Sequence, residues 1–315
     1  MEVGSGRGRD FVRGLEARAP LAALWDLDAR FRAMDEVEEP YVQILTICTP
    51  PIEEIAEGQL GADLARFTND QMAELVARYP DRFKGFAASL CMTEVDASLT
   101  EIDRCVNDLG ALGIQIFTNV KGRSMDEPRF APIFDRMAAL DRSIWVHGWR
   151  SPSIPDYEGD DFSRFGLWLS LGWPYEMGMF MSRISISGVF DRHPNLRIFA
   201  HHSGGMIASF GRRVGPGMSA FVPEGLASDM ETFGKLEKMT FDYLKMFYVD
   251  TTGQTPITIE AAMKFFGLER MMMGTDFPWM YPKPHLTNLD QLGLTADQRQ
   301  QLLAQNAQRI LGIKV

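Results

Sequence analysis

Residues 187–206 read SGVFDRHPNLRIFAHHSGGM. The stretch closes a helical run, turns on a Pro-Asn pair, enters a short apolar strand and delivers two adjacent histidines to a glycine turn. A helix that ends in a polar or Pro/Gly turn and passes at once into a strand is the tight connection of an αβ unit. The same junction occurs in ARYPDRFKGF and FGLERMMMGTD. Working outward from these points, seven short apolar runs read as strands: 42–48 (VQILTIC), 83–90 (FKGFAASL), 113–118 (GIQIFT), 144–147 (IWVH), 197–201 (RIFAH), 247–250 (FYVD) and 271–276 (MMMGTD). Their apolar character suits strands covered on both faces. Amphipathic stretches at 63–78, 95–112, 128–140, 165–190, 206–214, 256–266 and 295–311 read as the helices between and after them.

Strands alternating with helices build a parallel sheet, and this rhythm predicts an α/β chain with a (β/α)8 TIM-barrel-like fold. No repeat, linker or low-complexity tract divides it, so residues 1–315 are read as a single barrel domain. Seven strands are one fewer than a closed eight-stranded barrel needs. Residues 1–20 are rich in Gly and Arg and hold no apolar run, so the expectation is a missing or altered first strand.

Composition narrows the partners. At 45% hydrophobic and 11% aromatic, the 315 residues can bury a large core. A formal net charge of −10 argues against nucleic acid or an anionic membrane, both of which are drawn by basic surfaces. No apolar stretch reaches the roughly 20 residues that cross a bilayer, and the first residues lack the apolar region of a signal peptide. Cys48, Cys91 and Cys105 form no C-x-x-C pair and read as small buried thiols of a reducing compartment. A cytoplasmic protein is expected.

Barrel enzymes keep their chemistry at the C-terminal ends of the strands. Of the five histidines, His147 ends the run IWVH, and His201 and His202 follow RIFA before SGGM. Asp276 ends MMMGTD with nothing in its run to pair its charge, and a buried carboxylate needs a cation or solvent. Imidazoles and a carboxylate from separate strand ends form a ligand set for zinc or manganese. His193, in the polar turn DRHPN, reads as structural, and His285, among prolines in YPKPHL, reads as a loop residue, with a place lining the mouth as the other reading. The methionine groups at 271–273 and 177–181 read as core filling. GSGRG near the start lacks a preceding strand and a following Lys-Ser/Thr, so it is no phosphate loop.

From about residue 17 onward the chain resembles the amidohydrolase-related family that includes aminocarboxymuconate-semialdehyde decarboxylase and the hydroxybenzoate decarboxylases. The likeness is carried by ALWDLDARFRAMDEVEEPYVQILTICTPP, LGALGIQIFTNV, IWVHGWR, SGVFDRHPNLRIFAHHSGGM, FYVDTTGQTP, MMMGTDFPW and NAQRILGI, in the family's order. The resemblance implies that His147 and Asp276 are metal ligands, that Asp276 and His201 belong to the catalytic centre, and that His201 stands beside the metal as acid or base. His202 competes for that last role. Arg18, in ARAPLAALWD, falls where the decarboxylase meets a substrate carboxylate, with a surface arginine as the other reading.

The family's first strand ends in a His-x-His or Glu-x-His pair, and neither motif occurs in this sequence. The resemblance places that pair ahead of Met1, which implies either an upstream start or a variant whose metal is weakened or lost. The implied cofactor is a divalent metal, zinc first and manganese second, in an incomplete site. The implied partner is a small carboxylate, and a homodimer is left open. The implied activity is non-oxidative, metal-dependent decarboxylation of a small unsaturated or aromatic acid. The alternatives are hydrolysis of a lactone or amide on the same fold and a non-catalytic barrel.

Overall fold

The computed structural model describes residues 19–47, 49–214, 235–253 and 255–314. Seven strands form one parallel sheet: β1 Gln43–Leu45, β2 Phe83–Ser89, β3 Gly113–Phe117, β6 Ser143–His147, β7 Arg197–Ala200, β8 Tyr248–Asp250 and β9 Met271–Met272, hydrogen-bonded in that order. A small antiparallel hairpin, β4 Asn119–Val120 with β5 Arg123–Ser124, follows β3. All seven expected strands are present, with helices between them, in a curled parallel sheet. Among the described residues β9 and β1 are not paired with each other, so they are its edges. The expected absence or alteration of a first strand concerns residues 1–18, which lie outside the described residues, as do Arg18 and Cys48.

Several boundaries differ from those expected. The last strand ends at Met272, so Asp276 stands in the loop beyond it, with the left-handed φ of 56° that Asp tolerates better than most side chains. The helix expected over 165–190 is three, Leu167–Ser170, Gly172–Ile186 and Val189–Arg192, and Gly188 at φ 73° breaks the chain before the last. His285 is a correction: it is fully buried in the helix Pro282–Leu289 instead of lying on a loop. Cys91 and Cys105 are buried thiols, and Met177, Met181 and Met271 fill the core. His193 holds Asp135 at 2.6 Å, a surface pairing remote from the strand ends. Among the described residues, no helix is long and apolar enough to cross a membrane.

The period-two alternation of strands explains how the sheet presents its chemistry. Ile144 and Val146, Ile198 and Ala200, and Val249 belong to the large core formed with the surrounding helices. Their neighbours Trp145 and Phe199 form a second cluster with Met272, Ile310 and Leu311, against which Tyr248 packs. Trp145 and Phe199 stack at 5.4 Å, and Phe199 meets Tyr248 at 5.0 Å. Two residues further along the same face of each strand come His147, His201 and Asp250. The apolar cluster below thus forms the floor under three chemically active side chains.

Candidate metal centre

The C-terminal ends of β6, β7, β8 and β9 bring together His147, His201, His202, Asp250 and Asp276. One ligand atom from each of His147, His202 and Asp276 lies within 4.8 Å of the others. His201 does not belong to that group. Its Nδ1 hydrogen donates to Asp250 Oδ2 at 2.6 Å, and its ring centroid is 5.9 Å from that of His147.

Hydrogen-bond partners settle how two of the imidazoles are oriented. His147 Nδ1 lies 2.8 Å from the carbonyl oxygen of Gly148, which accepts only, so Nδ1 carries the hydrogen and Nε2 the lone pair. That Nε2 is 3.1 Å from Nε2 of His202. A carbonyl holding the far nitrogen of a ligating histidine is a recurring support in metal sites. Burial, reinforced by the neighbouring imidazoles of His202 and His201, pushes His147 well below the usual imidazole range, which keeps its lone pair available.

His202 reaches the group through backbone geometry. Strand alternation alone would turn it away, since His201 continues the interior face. Instead His202 and Ser203 adopt φ of 56° and 57°, and this left-handed turn swings the second imidazole inward. Gly205, at φ 61°, completes the turn where an added Cβ would come within 2.6 Å of the Pro174 carbonyl.

Asp250 was not singled out in the sequence, although it ends the expected run FYVD. Burial by itself would raise its carboxyl, but the His201 hydrogen bond, the electrostatic pull of the His201 and His202 imidazoles and the Thr252 N–H at 3.0 Å outweigh it and hold the group well below the usual carboxylate range. Asp276 behaves oppositely. Burial raises its carboxyl, Asp250 adds to the rise, and only His202 and His201 draw it back. Among the described residues its side chain has no hydrogen-bond or ion-pair partner.

The mouth beside these groups is aromatic. Phe117 and Trp173 pack edge-on to His147 at 5.8 and 5.2 Å, and Trp149 lies 6.1 Å from Trp173. Thr118 and Asn119, just past β3, fix the following strand's loop by accepting from Trp149 N–H at 3.0 Å and donating to its carbonyl at 2.7 Å. Arg150 faces Glu176 at 3.3 Å, so its charge is already paired.

Residues 24–313 match the family model described as Amidohydrolase. The chain belongs to the amidohydrolase family. Within it, the chain is 32% identical to a gamma-resorcylate decarboxylase of Rhodococcus jostii, across 85% of this chain and 82% of that protein. It is 27% identical to a 2-amino-3-carboxymuconate-6-semialdehyde decarboxylase of Dictyostelium discoideum, across 92% and 77%. The structure superposes with a TM-score of 0.83 on the 5-carboxyvanillate decarboxylase of Novosphingobium aromaticivorans complexed with manganese and a nitrobenzoic acid, at 27% identity over 95% of this chain and 86% of that one. These relatives are decarboxylases, the class the resemblance implied.

The donor set fits a divalent cation. Two imidazoles and a carboxylate are the mixed nitrogen and oxygen ligands that zinc and manganese accept. Nitrogens bound to one ion at about 2.1 Å stand roughly 3.0–3.4 Å apart at ordinary ligand angles, and the 3.1 Å between His147 and His202 falls in that range. Three protein ligands with a remaining open position is the pattern of catalytic metal sites.

Proposed function

We propose that this chain is a divalent-metal-dependent, non-oxidative carboxy-lyase that releases CO2 from a small aromatic or unsaturated carboxylic acid. The observation that carries this reading is the convergence of His147, His202 and Asp276 within 4.8 Å, beside a separately held His201–Asp250 pair, in a chain related to decarboxylases. His147, Asp276 and His202 would hold the cation. Manganese is the first ion to test because the 5-carboxyvanillate decarboxylase carries it, and zinc suits the same donors. Lewis-acid charge at that point would offset the negative charge that develops on the substrate. Among the described residues Cys91 and Cys105 are free thiols, which supports a cytoplasmic setting.

His201 is assigned the proton. With Nδ1–H engaged by the ionised Asp250, its Nε2 is the free position, and the carboxylate stabilises the imidazolium that loads it, as in a Ser-His-Asp triad. Nε2–H delivers a proton to the carbon bearing the carboxylate, and the new C–H bond uses a π pair of the substrate. The bond to the carboxylate then breaks, its electron pair restores the π system, and CO2 departs. Solvent returns the proton to His201. Phe117, Trp149 and Trp173 offer faces against which a planar acid packs while water is kept from the reacting carbon.

The test is a panel assay on manganese-loaded protein with 2,6-dihydroxybenzoate and 5-carboxyvanillate among the acids. His147→Ala, His202→Ala and Asp276→Ala should each lose bound manganese, whereas His201→Ala should retain it and lose about 10²–10⁴-fold in kcat. Retained metal in His202→Ala with lost turnover would transfer the proton role to His202. Stoichiometric metal without CO2 release but with hydrolysis of a lactone or amide would replace the lyase reading by a hydrolase, and absence of both metal and turnover would leave a non-catalytic barrel.

A further inference from the structure

His285 is fully buried, and the chemistry assigned above makes no use of it. Its Nε2 lies 2.8 Å from Thr251 Oγ1, while among the described residues its buried Nδ1 has no partner. Thr251, also fully buried, follows Asp250 directly, and its hydroxyl meets both the carbonyl and the N–H of Gly274 at 3.2 Å. Gly274 is two residues before Asp276. One hydroxyl therefore joins the loop that follows the Asp250–His201 pair to the loop that carries a cation ligand.

Counting hydrogens decides how the cluster is wired. A threonine hydroxyl has one hydrogen and two lone pairs. The Gly274 carbonyl accepts only and takes that hydrogen, and the Gly274 N–H donates only and takes one lone pair. The remaining lone pair needs a donor, so His285 must carry its hydrogen on Nε2. Nδ1 is then a bare acceptor, a lesser burden than a buried N–H without a partner. In the opposite tautomer the hydroxyl would turn to Nε2, the Gly274 carbonyl would lose this bond, and Nδ1–H would be stranded. The first wiring leaves one group unsatisfied and the second leaves two. Burial also lowers the basicity of the ring, in keeping with a neutral imidazole.

We propose that His285, as the neutral Nε2–H tautomer, is a positioning residue whose hydrogen bond to Thr251 locks the β8 and β9 loops together and so sets where Asp276 stands relative to the His201–Asp250 pair. The fit between these loops is close, since a Cβ on Gly274 would come within 2.5 Å of Thr252 Oγ1 and 3.0 Å of Asp250 Cβ. The consequence for activity rests on the carboxy-lyase reading. The tautomer does not.

Nitrogen-15 NMR of histidine-labelled protein at pH 7, with His285 assigned by its loss in His285→Gln, should show hydrogen on Nε2 alone. A hydrogen on Nδ1, or an imidazolium, overturns the proposal whatever the protein catalyses. In parallel, manganese affinity should fall about tenfold in Thr251→Val and in His285→Phe, the low end of what lost outer-sphere support costs a metal site. The double variant should fall no further than Thr251→Val, because the hydroxyl removed there is the partner of His285 and its bond is already gone. His285→Gln, which restores an N–H donor at that reach, should stay within threefold of the parent. Parent-like affinity in Thr251→Val, or additive losses in the double variant, overturns the clamp. If His285→Phe fails to fold, the tautomer and Thr251→Val still decide. A parent protein that binds no manganese at all overturns the lyase reading instead, with the NMR result left to judge the clamp.

Discussion

Replacing Asp250 with Asn changes a single oxygen to an amide nitrogen, yet the surrounding donors determine which way it must point. Oδ1 of Asp250 accepts from Thr252 N–H at 3.0 Å and Ser203 N–H at 3.4 Å, while Oδ2 accepts from His201 Nδ1 at 2.6 Å. An asparagine keeps its oxygen on the two backbone donors, so its NH2 faces His201. Nδ1 of His201 must then accept, its hydrogen moves to Nε2, and the negative charge that stabilised the imidazolium is gone. An imidazole in the wrong tautomer without its carboxylate should lower kcat by about 10²–10⁴-fold, or roughly 3–5 kcal/mol. Stability at neutral pH should also fall, because the charge whose pairing with His201 lowers the Asp250 carboxyl is gone. The acid limb should differ as well. The ionised carboxylate stabilises the fold fully above its unfolded value of 3.8, and that contribution is lost as pH falls through the lower folded value, so the Asn variant should lose less stability on acidification. Steady-state CO2 release on manganese-loaded protein, with metal content and urea unfolding measured on the same samples, provides the check. A kcat within threefold of the parent at full metal occupancy would refute the assignment of the proton to His201.

Glu53 offers a pH prediction of the opposite sign. It is 2% exposed, its Oε1 has no partner among the described residues, and burial pushes its carboxyl up to about 7 from 4.5. Between those values the unfolded chain releases the proton and the folded one keeps it, so stability declines as pH rises through that window, by on the order of 3 kcal/mol at pH 8. Glu53→Gln should therefore stabilise the protein at pH 8 and leave it little changed at pH 5, and denaturant unfolding with equal differences at the two pH values would rule this out. Gly274→Ala should cost about 1–3 kcal/mol of stability and at least tenfold in manganese affinity, since its Cβ has no room beside Thr252 and Asp250. Manganese titration of a variant that remains folded is the measurement, and parent-like affinity would contradict the tight loop packing.

Much of the fold is written in local pattern. Short apolar runs set between amphipathic stretches, with tight turns such as DRHPN, are properties of neighbouring residues, and they determined seven parallel strands in chain order. The same alternation carried His147 and His201 to the ends of β6 and β7 on the interior face, because a strand repeats every two residues. It also carried Asp250 there, and the run FYVD held the signal that would have singled it out. Three features had no local signature. His202 enters the donor group only because two consecutive residues take left-handed φ, against the preference of their side chains, and packing of the glycine turn beneath Pro174 stabilises that choice. Asp276 stands four residues beyond its strand, positioned by contacts of the 273–276 loop with the chain after β8. His285 looked like a loop residue among prolines, and its burial follows from a helix docking behind Thr251, 34 residues earlier in the chain. Sequence alone determined that His147, His201 and Asp250 arrive at the mouth of the sheet, since strand periodicity is local. Which of two adjacent histidines joins the donor group with His147 and Asp276, and which is held by a carboxylate 49 residues away, was decided only when the loops packed against one another.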